Sequence, residues 1–366
     1  MIAFLIILPL VLIYMVLAVW AERKVSAFIQ DRYGPMEVGT YGIVQTAADL
    51  LKLLQKEDII PLASDKRIFL AAPVLIFVSV FAGYSVLPVS QDIIGSDTSV
   101  GIYFLLTIIS CDVIGLIMAG WGSNNKYSVY GAVRAVAQII SYEIPLTLSV
   151  LAAVVICQTL NLQDISFQQG ILAASRYPDG YENFLFGIRS LDINTSEVGG
   201  FTTWNIFRAP ILMPAFLIFF ICSLAECNRA PFDIPEAESE LVAGFHTEYS
   251  GFRWGLLFLG EYSMMMLVSF VASILFLGSW NTALPNIGSL RLADWTTGQP
   301  GTISGNFIGF AWLFSKVVLL IFLQMLVRWT YPRLRVDQLM YLCWKVLLPA
   351  SLVIFVLAAL WRLLMV

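Results

Sequence analysis

The chain has 366 residues, 59% hydrophobic and only 13% charged, with a net charge of −4 and a mean hydropathy of +0.81. A soluble domain of this length needs more surface charge, and no basic stretch offers a footprint for nucleic acid. Composition therefore points to a membrane protein.

Met1 to Ala21 is uncharged, lacks a basic n-region and is long enough to span, which predicts a retained transmembrane helix and not a cleaved signal. Seven further apolar stretches follow, so that spans are expected at 2–21, 68–88, 101–121, 135–160, 208–226, 254–278, 304–327 and 340–362. Backbone polar groups in lipid must be satisfied within the segment, so the fold class is an all-α polytopic bundle of about eight transmembrane helices. The short alternating segments of a membrane barrel are absent. An even number of spans puts both termini on one side. Of the 21 Lys and Arg residues, 15 fall in one set of loops and helix ends, five in the opposite set, and Lys316 lies inside a span. That bias places the first set in the cytoplasm and both termini outside.

Behind the first span, Gly34-Pro35 marks a turn, and 41–56 reads as an amphipathic, interfacial helix. Its polar stripe is Gln45, Asp49, Lys52 and Lys56; Ile43, Ala47, Leu50, Leu51 and Leu54 lie on its apolar face. Such a helix either anchors in the interface or turns Asp49 and Lys52 towards a polar chamber. Two inserts on the expected outer side, about 161–207 and 279–303, carry few basic residues and suggest no role.

The cytoplasmic loop of about 226–250 is the most informative. Between Glu226 and Glu240 it carries five acids and one Arg beside apolar spans. Pro231 and Pro235 forbid one continuous helix. Asp233 is placed to cap a new helix with Glu236 three residues on, running through Glu240 towards His246 and Glu248. An acid-rich loop opposes the positive-inside trend and marks a candidate site.

Asp112, Glu143, Glu261 and Lys316 sit inside spans. A charge at mid-bilayer costs about 2.5–3.5 kcal/mol, so these groups are expected to face the bundle interior, neighbouring subunits or water, as in proton relays. The other reading is static pairing that fixes helix packing. The five cysteines, Cys111, Cys157, Cys222, Cys227 and Cys343, form no CxxC pair, which argues against a structural zinc or iron–sulfur cluster in this chain. His246, the sole histidine, has no metal-ligand pattern around it and reads as structural or surface.

Several strings then resemble one family in order along nearly the whole chain. They include Ala21–Lys24, Gly42–Asp49, Gly120–Tyr127, Gly131–Gln138, Ser141–Glu143, Ala225–Asp233, Glu236–Phe245, Thr247–Tyr249, Gly260–Tyr262 and Tyr331–Met340. The family is the H-type membrane subunit of bacterial type I NADH:quinone oxidoreductase, the counterpart of subunit 1 in mitochondrial respiratory complex I. The resemblance implies a quinone chamber shared with peripheral iron–sulfur subunits, with quinone as substrate and no metal, flavin or cluster bound here. Glu22, Arg23, Arg32, Asp49, Arg229 and Asp233 match its chamber positions. Glu143, Glu226, Glu236, Glu238, Glu240, Glu248 and Glu261 match its acidic chain, with Arg134 near Glu143; Lys316 joins this proton pathway as a charge inside a span. Asp112 stands where the family usually has a small uncharged residue, so the resemblance gives it no role. Expected partners are the peripheral-arm iron–sulfur subunits, the other membrane subunits and the lipid bilayer of a bacterial plasma (inner) membrane. Related membrane subunits of ferredoxin-, F420- and hydrogenase-linked complexes share the ancestry and give the alternative reading.

Overall fold

The first helix, α1 (Ile2–Ile29), has 28 residues, about 42 Å of rise against a bilayer core of about 30 Å. Its last turns therefore carry Glu22 and Arg23 beyond the apolar segment. In the computed structural model, the described residues are 2–176, 184, 186, 195–234, 241–286 and 290–365. Among them no strand occurs, an isolated bridge joins Pro88 and Ile94, and the all-helical expectation holds.

After α1 come α2 (Gln45–Gln55), α3 (Lys66–Gly83), α4 (Gly101–Gly122), α5 (Lys126–Cys157) and α6 (Leu162–Gln168). Then follow α7 (Leu212–Glu226), α8 (Gly251–Leu275) and α9 (Ile303–Thr330). Last, α10 opens at Val336–Tyr341, passes through a π-helical segment Leu342–Leu347 and continues as Leu348–Met365.

Among the described residues, α3, α4, α5, α8, α9 and α10 are long and apolar enough to cross a membrane, and α1 is as long as α9. The stretch expected to span at 208–226 is different. It splits into a turn at Asn205–Arg208 and the 15-residue α7, about 22 Å long. Pro210 is the cause: the residue before a proline is pushed out of the helical region, and Ala209 is extended.

α8 is the core of the bundle. Every residue from Tyr262 to Leu275 is buried, the pattern of a helix apolar on all sides. The only polar residues in that run are Tyr262 and three serines, so the helix can be surrounded by protein while Glu261 at its edge meets the charged groups described below. α10 lies outside, with many exposed apolar side chains such as Leu352, Val353, Val356 and Leu360.

The interfacial helix starts four residues later than expected, because Tyr41 (φ 55°) and Gly42 (φ 73°) take left-handed backbone conformations inside the turn Thr40–Gly42. The helix expected to run towards His246 and Glu248 is also interrupted. Val242 (φ 65°) and Gly244 (φ 55°) break it, leaving a short 3-10 turn at Gly244–His246. Gly131 and Gly244 let that turn sit directly on α5; a Cβ on Gly131 would come within 2.6 Å of the Gly244 Cα.

The described parts of the inserts expected outside pack over the end of α8 farthest from Glu22. Gln169 ties them together. Its amide donates to Ile274 O at 2.7 Å and its Oε1 accepts from the backbone N–H groups of Asn205 and Gly278. Asn281 donates to Ser166 O at 2.8 Å, joining the second insert to α6. These buried amides satisfy irregular backbone that would otherwise be costly in the interior.

Candidate functional site

A run of alternating charges crosses the interior where α1, α8 and α9 meet the loop after α7. Glu22 is buried and accepts hydrogen bonds from the Tyr262 hydroxyl on α8 and the Arg328 guanidinium on α9. Arg229 stands 3.8 Å from Glu22 on one side and 3.7 Å from Glu261 on the other, with its guanidinium 4.1 Å over the Tyr262 ring. His246 Nε2 lies 3.4 Å from the second oxygen of Glu261. The order Arg328, Glu22, Arg229, Glu261, His246 compensates each buried carboxylate with a cation or a ring N–H. A buried charge persists only under such pairing. Arg229 comes into place because the chain turns sharply at Asn228 (φ 48°) when α7 ends.

From Glu261 a line of carboxyl groups leads inward. Asp112, Glu226 and Glu261 line one cavity of about 20 Å³, closed by Ile76, Leu116 and Met264. Glu226 also lines a second cavity of about 20 Å³, with Glu143 on its other side and an apolar wall that includes Phe219 and Val268. Each has room for about one water. Glu143 accepts a hydrogen bond from Ser110 on α4. Asp112, Glu143 and Glu261 thus line interior cavities of the bundle, as expected from the cost of a charge in lipid.

Beside the charged run lies an apolar groove of about 590 Å³ between α1 and α9. It runs from Pro9 and Phe314 to Val25 and Met325. Its upper end is lined by Ala21 and Val25, the neighbours of Glu22 along α1. Tyr14 lines it too; its hydroxyl is buried and meets no hydrogen-bond partner among the described residues.

The remaining expected residues divide. Arg23 pairs with Asp49 at 2.7 Å, and Gln45 donates to the same carboxylate at 3.2 Å. Partial burial works against ionisation of Asp49, but the hydrogen bonds from Arg23 and Gln45 and the charges of Arg23 and Lys52 prevail and hold it below its ordinary value. Asp233 is buried and pairs with Arg333 at 3.1 Å. Arg32 is exposed and its side chain bonds Gln30 locally, away from the charged run. Glu248 accepts from the Asn125 amide at 2.5 Å, at the turn between α4 and α5. Lys316 is buried at the far end of the bundle, where it donates to the carbonyls of Ser279 and Asn281 and lies 4.4 Å over Trp204. That placement holds the second insert to α9. Arg134 lies on α5 and is half-buried. Glu236, Glu238 and Glu240 lie outside the described residues. Among the described residues no cluster of three or more His, Cys, Asp or Glu could hold a metal ion.

Residues 2–359 match the family model described as NADH dehydrogenase. The chain belongs to the NADH dehydrogenase family. It is 62% identical over 355 residues to the second of the H-type NADH-quinone oxidoreductase subunits of Cytophaga hutchinsonii, an alignment covering 97% of each chain. It is 50% identical over 343 residues to the H-type NADH-quinone oxidoreductase subunit of Chlorobaculum parvum, covering 94% of this chain and 86% of that one. The counterpart in Chlorobium luteolum is also 50% identical over 343 residues, covering 83% of its length. The family resemblance read from the ordered strings is borne out.

Within this member of the NADH dehydrogenase family, four residues of the charged region were missed as site residues. Arg328 and Arg333 read only as cytoplasmic-side cations, Tyr262 only as part of a family string, and His246 as structural. One signal was available for Arg328: it is the last basic residue of a span, one turn above an apolar face, where a buried acid is its natural partner. The fifth residue is Asp112, noted as a charge in a span but given no role by the resemblance.

Proposed function

We propose that this chain is the H-type membrane subunit of a proton-translocating NADH:quinone oxidoreductase, supplying the membrane wall of the quinone chamber and coupling quinone reduction to proton movement. The near full-length kinship with subunits of that type supports the assignment. One observation carries the mechanism: the apolar groove between α1 and α9 ends beside Glu22, where the buried charged run begins and leads to Glu143. The groove suits an isoprenoid tail and the charged run suits a polar head group. Quinone reduction takes up two electrons and two protons. Electrons come from an iron–sulfur cluster of a peripheral-arm subunit, and NADH oxidation belongs to other chains. This chain receives the local charge imbalance: a head group that draws protons from groups near Glu22 and Arg229 shifts the balance of the run, and the carboxyl line relays the change towards Glu143. Arg23, Asp49, Arg229 and Asp233 are assigned to the chamber with Glu22; Glu226, Glu261 and Glu143 to the relay.

The protein is multi-pass; its kinship with subunits of Cytophaga hutchinsonii and Chlorobaculum parvum supports a bacterial plasma membrane location, and the bias of 15 to five in Lys and Arg supports both termini outside. Its partners are the peripheral iron–sulfur subunits and the remaining membrane subunits. The ferredoxin-, F420- and hydrogenase-linked alternatives are not favoured, since the three relatives are quinone oxidoreductase subunits. The test is Asp233→Asn and Glu143→Gln in the assembled complex. Both are expected to depress quinone reductase activity while NADH oxidation by an artificial acceptor is kept. Wild-type quinone turnover in both would remove the assigned roles.

A further inference from the structure

We infer that Asp112 is a proton-relay residue of this chain, bridging Glu261 to Glu226 through water held in the cavity the three carboxyl groups share. The inference rests on the coupling role proposed above and adds a member to it at a position where the family resemblance supplies none.

Asp112 lies near the middle of α4, 11 residues from its first residue Gly101, about 16 Å along the helix. A carboxyl group at that depth is costly unless it faces a polar space. The polar space is the small cavity also lined by Glu226 and Glu261. Asp112 Oδ1 is buried, and among the described residues no hydrogen-bond donor meets it. A carboxyl kept for packing would have a fixed donor. Glu226 gives the second, independent sign. The residue is 4% exposed, its Oε2 is buried and also lacks a partner among the described residues, and it faces both cavities. Two acceptor oxygens without protein donors, around a space of about one water, are the partners a bridging water needs.

The transfer balances without any further reagent. A proton leaving the Glu261 carboxyl adds to the water as the water gives one of its own to Asp112; one O–H bond breaks at Glu261 and one forms at Asp112. The same exchange hands the proton to Glu226, and the water of the second cavity passes it to Glu143.

The experiment uses the whole complex in proteoliposomes, with NADH-driven internal acidification and quinone reductase activity measured together. Assembly is controlled by NADH oxidation with an artificial acceptor. Asp112→Asn keeps the shape and removes the exchangeable acid; coupled turnover and acidification are expected to fall about tenfold. Asp112→Glu is expected to restore most of both, which a packing role would not produce in a cavity this small. Infrared difference spectra on reduction are expected to lose a protonated-carboxyl band in Asp112→Asn. Where Asp112→Asn fails to assemble, Asp112→Ser with Asp112→Glu gives the same comparison in a smaller side chain. Wild-type pumping in assembled Asp112→Asn or Asp112→Ser, with Glu143→Gln impaired, overturns the role of Asp112 alone. Wild-type pumping in both the Asp112 variant and Glu143→Gln overturns the coupling role beneath it.

Discussion

Arg333 reaches the buried carboxylate of Asp233 at 3.1 Å and so fixes the connection between α9 and α10 to the loop that follows α7. The same seam holds a backbone bond from Leu334 N to Pro231 O at 3.1 Å, and the Tyr142 hydroxyl donates to Leu339 O at 2.9 Å while its ring meets Phe232 edge-on. Three strings that looked separate along the sequence, Ser141–Glu143, Ala225–Asp233 and Tyr331–Met340, thus share one interface beside the charged run.

Breaking the pair should cost little on its own. The Arg333 side chain is 54% exposed, so water screens it, and a pair of this kind contributes about 1 kcal/mol at most. Arg333→Gln is expected to leave the complex assembled and to lower its resistance to denaturing detergent slightly. A double-mutant cycle with Asp233→Asn should return a coupling of about 0.5–1 kcal/mol. A coupling indistinguishable from zero would mean that the two groups do not stabilise each other in the membrane.

Glu22 should behave differently, because its partners are held inside the protein. Glu22→Gln leaves Arg229 and Arg328 around a neutral amide, and removing one member of a buried charge network typically costs about 3–5 kcal/mol. The expected outcome is a complex that falls apart at lower temperature, with Tyr262→Phe giving a milder loss because only one hydrogen bond to Glu22 is removed. Thermal dissociation followed by native electrophoresis checks both. Equal stability of Glu22→Gln and the wild type would rule out Glu22 as the hub of the network.

The order of these effects could not have been read from the sequence, although the residues could. Hydropathy marked the bundle because lipid penalises unpaired backbone, and charge inside a span marked Asp112, Glu143 and Glu261 for the same reason. Period and spacing report which face of its own helix a residue occupies, but not which other helix comes to meet it. Glu22 and Arg328 are brought together by the packing of α1 and α9, and the place of Arg328 at a span end signals a buried acid without saying that it is Glu22. Lys316 shows the converse. A lysine in a span suggests proton transfer, and two backbone carbonyls of the second insert also take its ammonium, a contact visible only once that insert is folded over the bundle. The loop around His246 misled for a third reason: a capping pattern announces where a helix begins, while two left-handed residues close behind decide where it stops.

The Arg23–Asp49 pair gives a pH prediction. Asp49 is held below its ordinary value of 3.8, so the pair contributes fully above that value and is lost only as the pH falls through the lowered one. Attachment of α2 to α1 should therefore be constant from neutrality down through mild acid. The Arg23 side chain is 45% exposed, so rising salt should weaken the pair at constant pH. A spin label on α2 reports both, with Asp49→Asn as the reference for the broken pair. Loss of attachment near neutral pH would contradict the assigned charge state.

The groove between α1 and α9 makes the last prediction, and it separates tail recognition from head-group chemistry. Ala21 lines the groove next to Glu22, so Ala21→Phe fills its upper end with apolar bulk and leaves every charged partner in place. A long isoprenoid tail must give up part of its buried length, and each displaced methylene is worth about 0.8 kcal/mol. Two of them raise the KM for a long-tailed quinone about 15-fold, by the same arithmetic that relates free energy to affinity. A quinone bearing only a short side chain loses nothing, and its KM should stay near the wild-type value, with kcat unchanged for both. Tyr14→Phe keeps the ring that lines the groove, and should leave both KM values alone if the tail is recognised by shape and apolar burial. An equal rise for long and short quinones in Ala21→Phe would place the obstruction at the head group instead, and no rise for either would take this groove off the quinone's route.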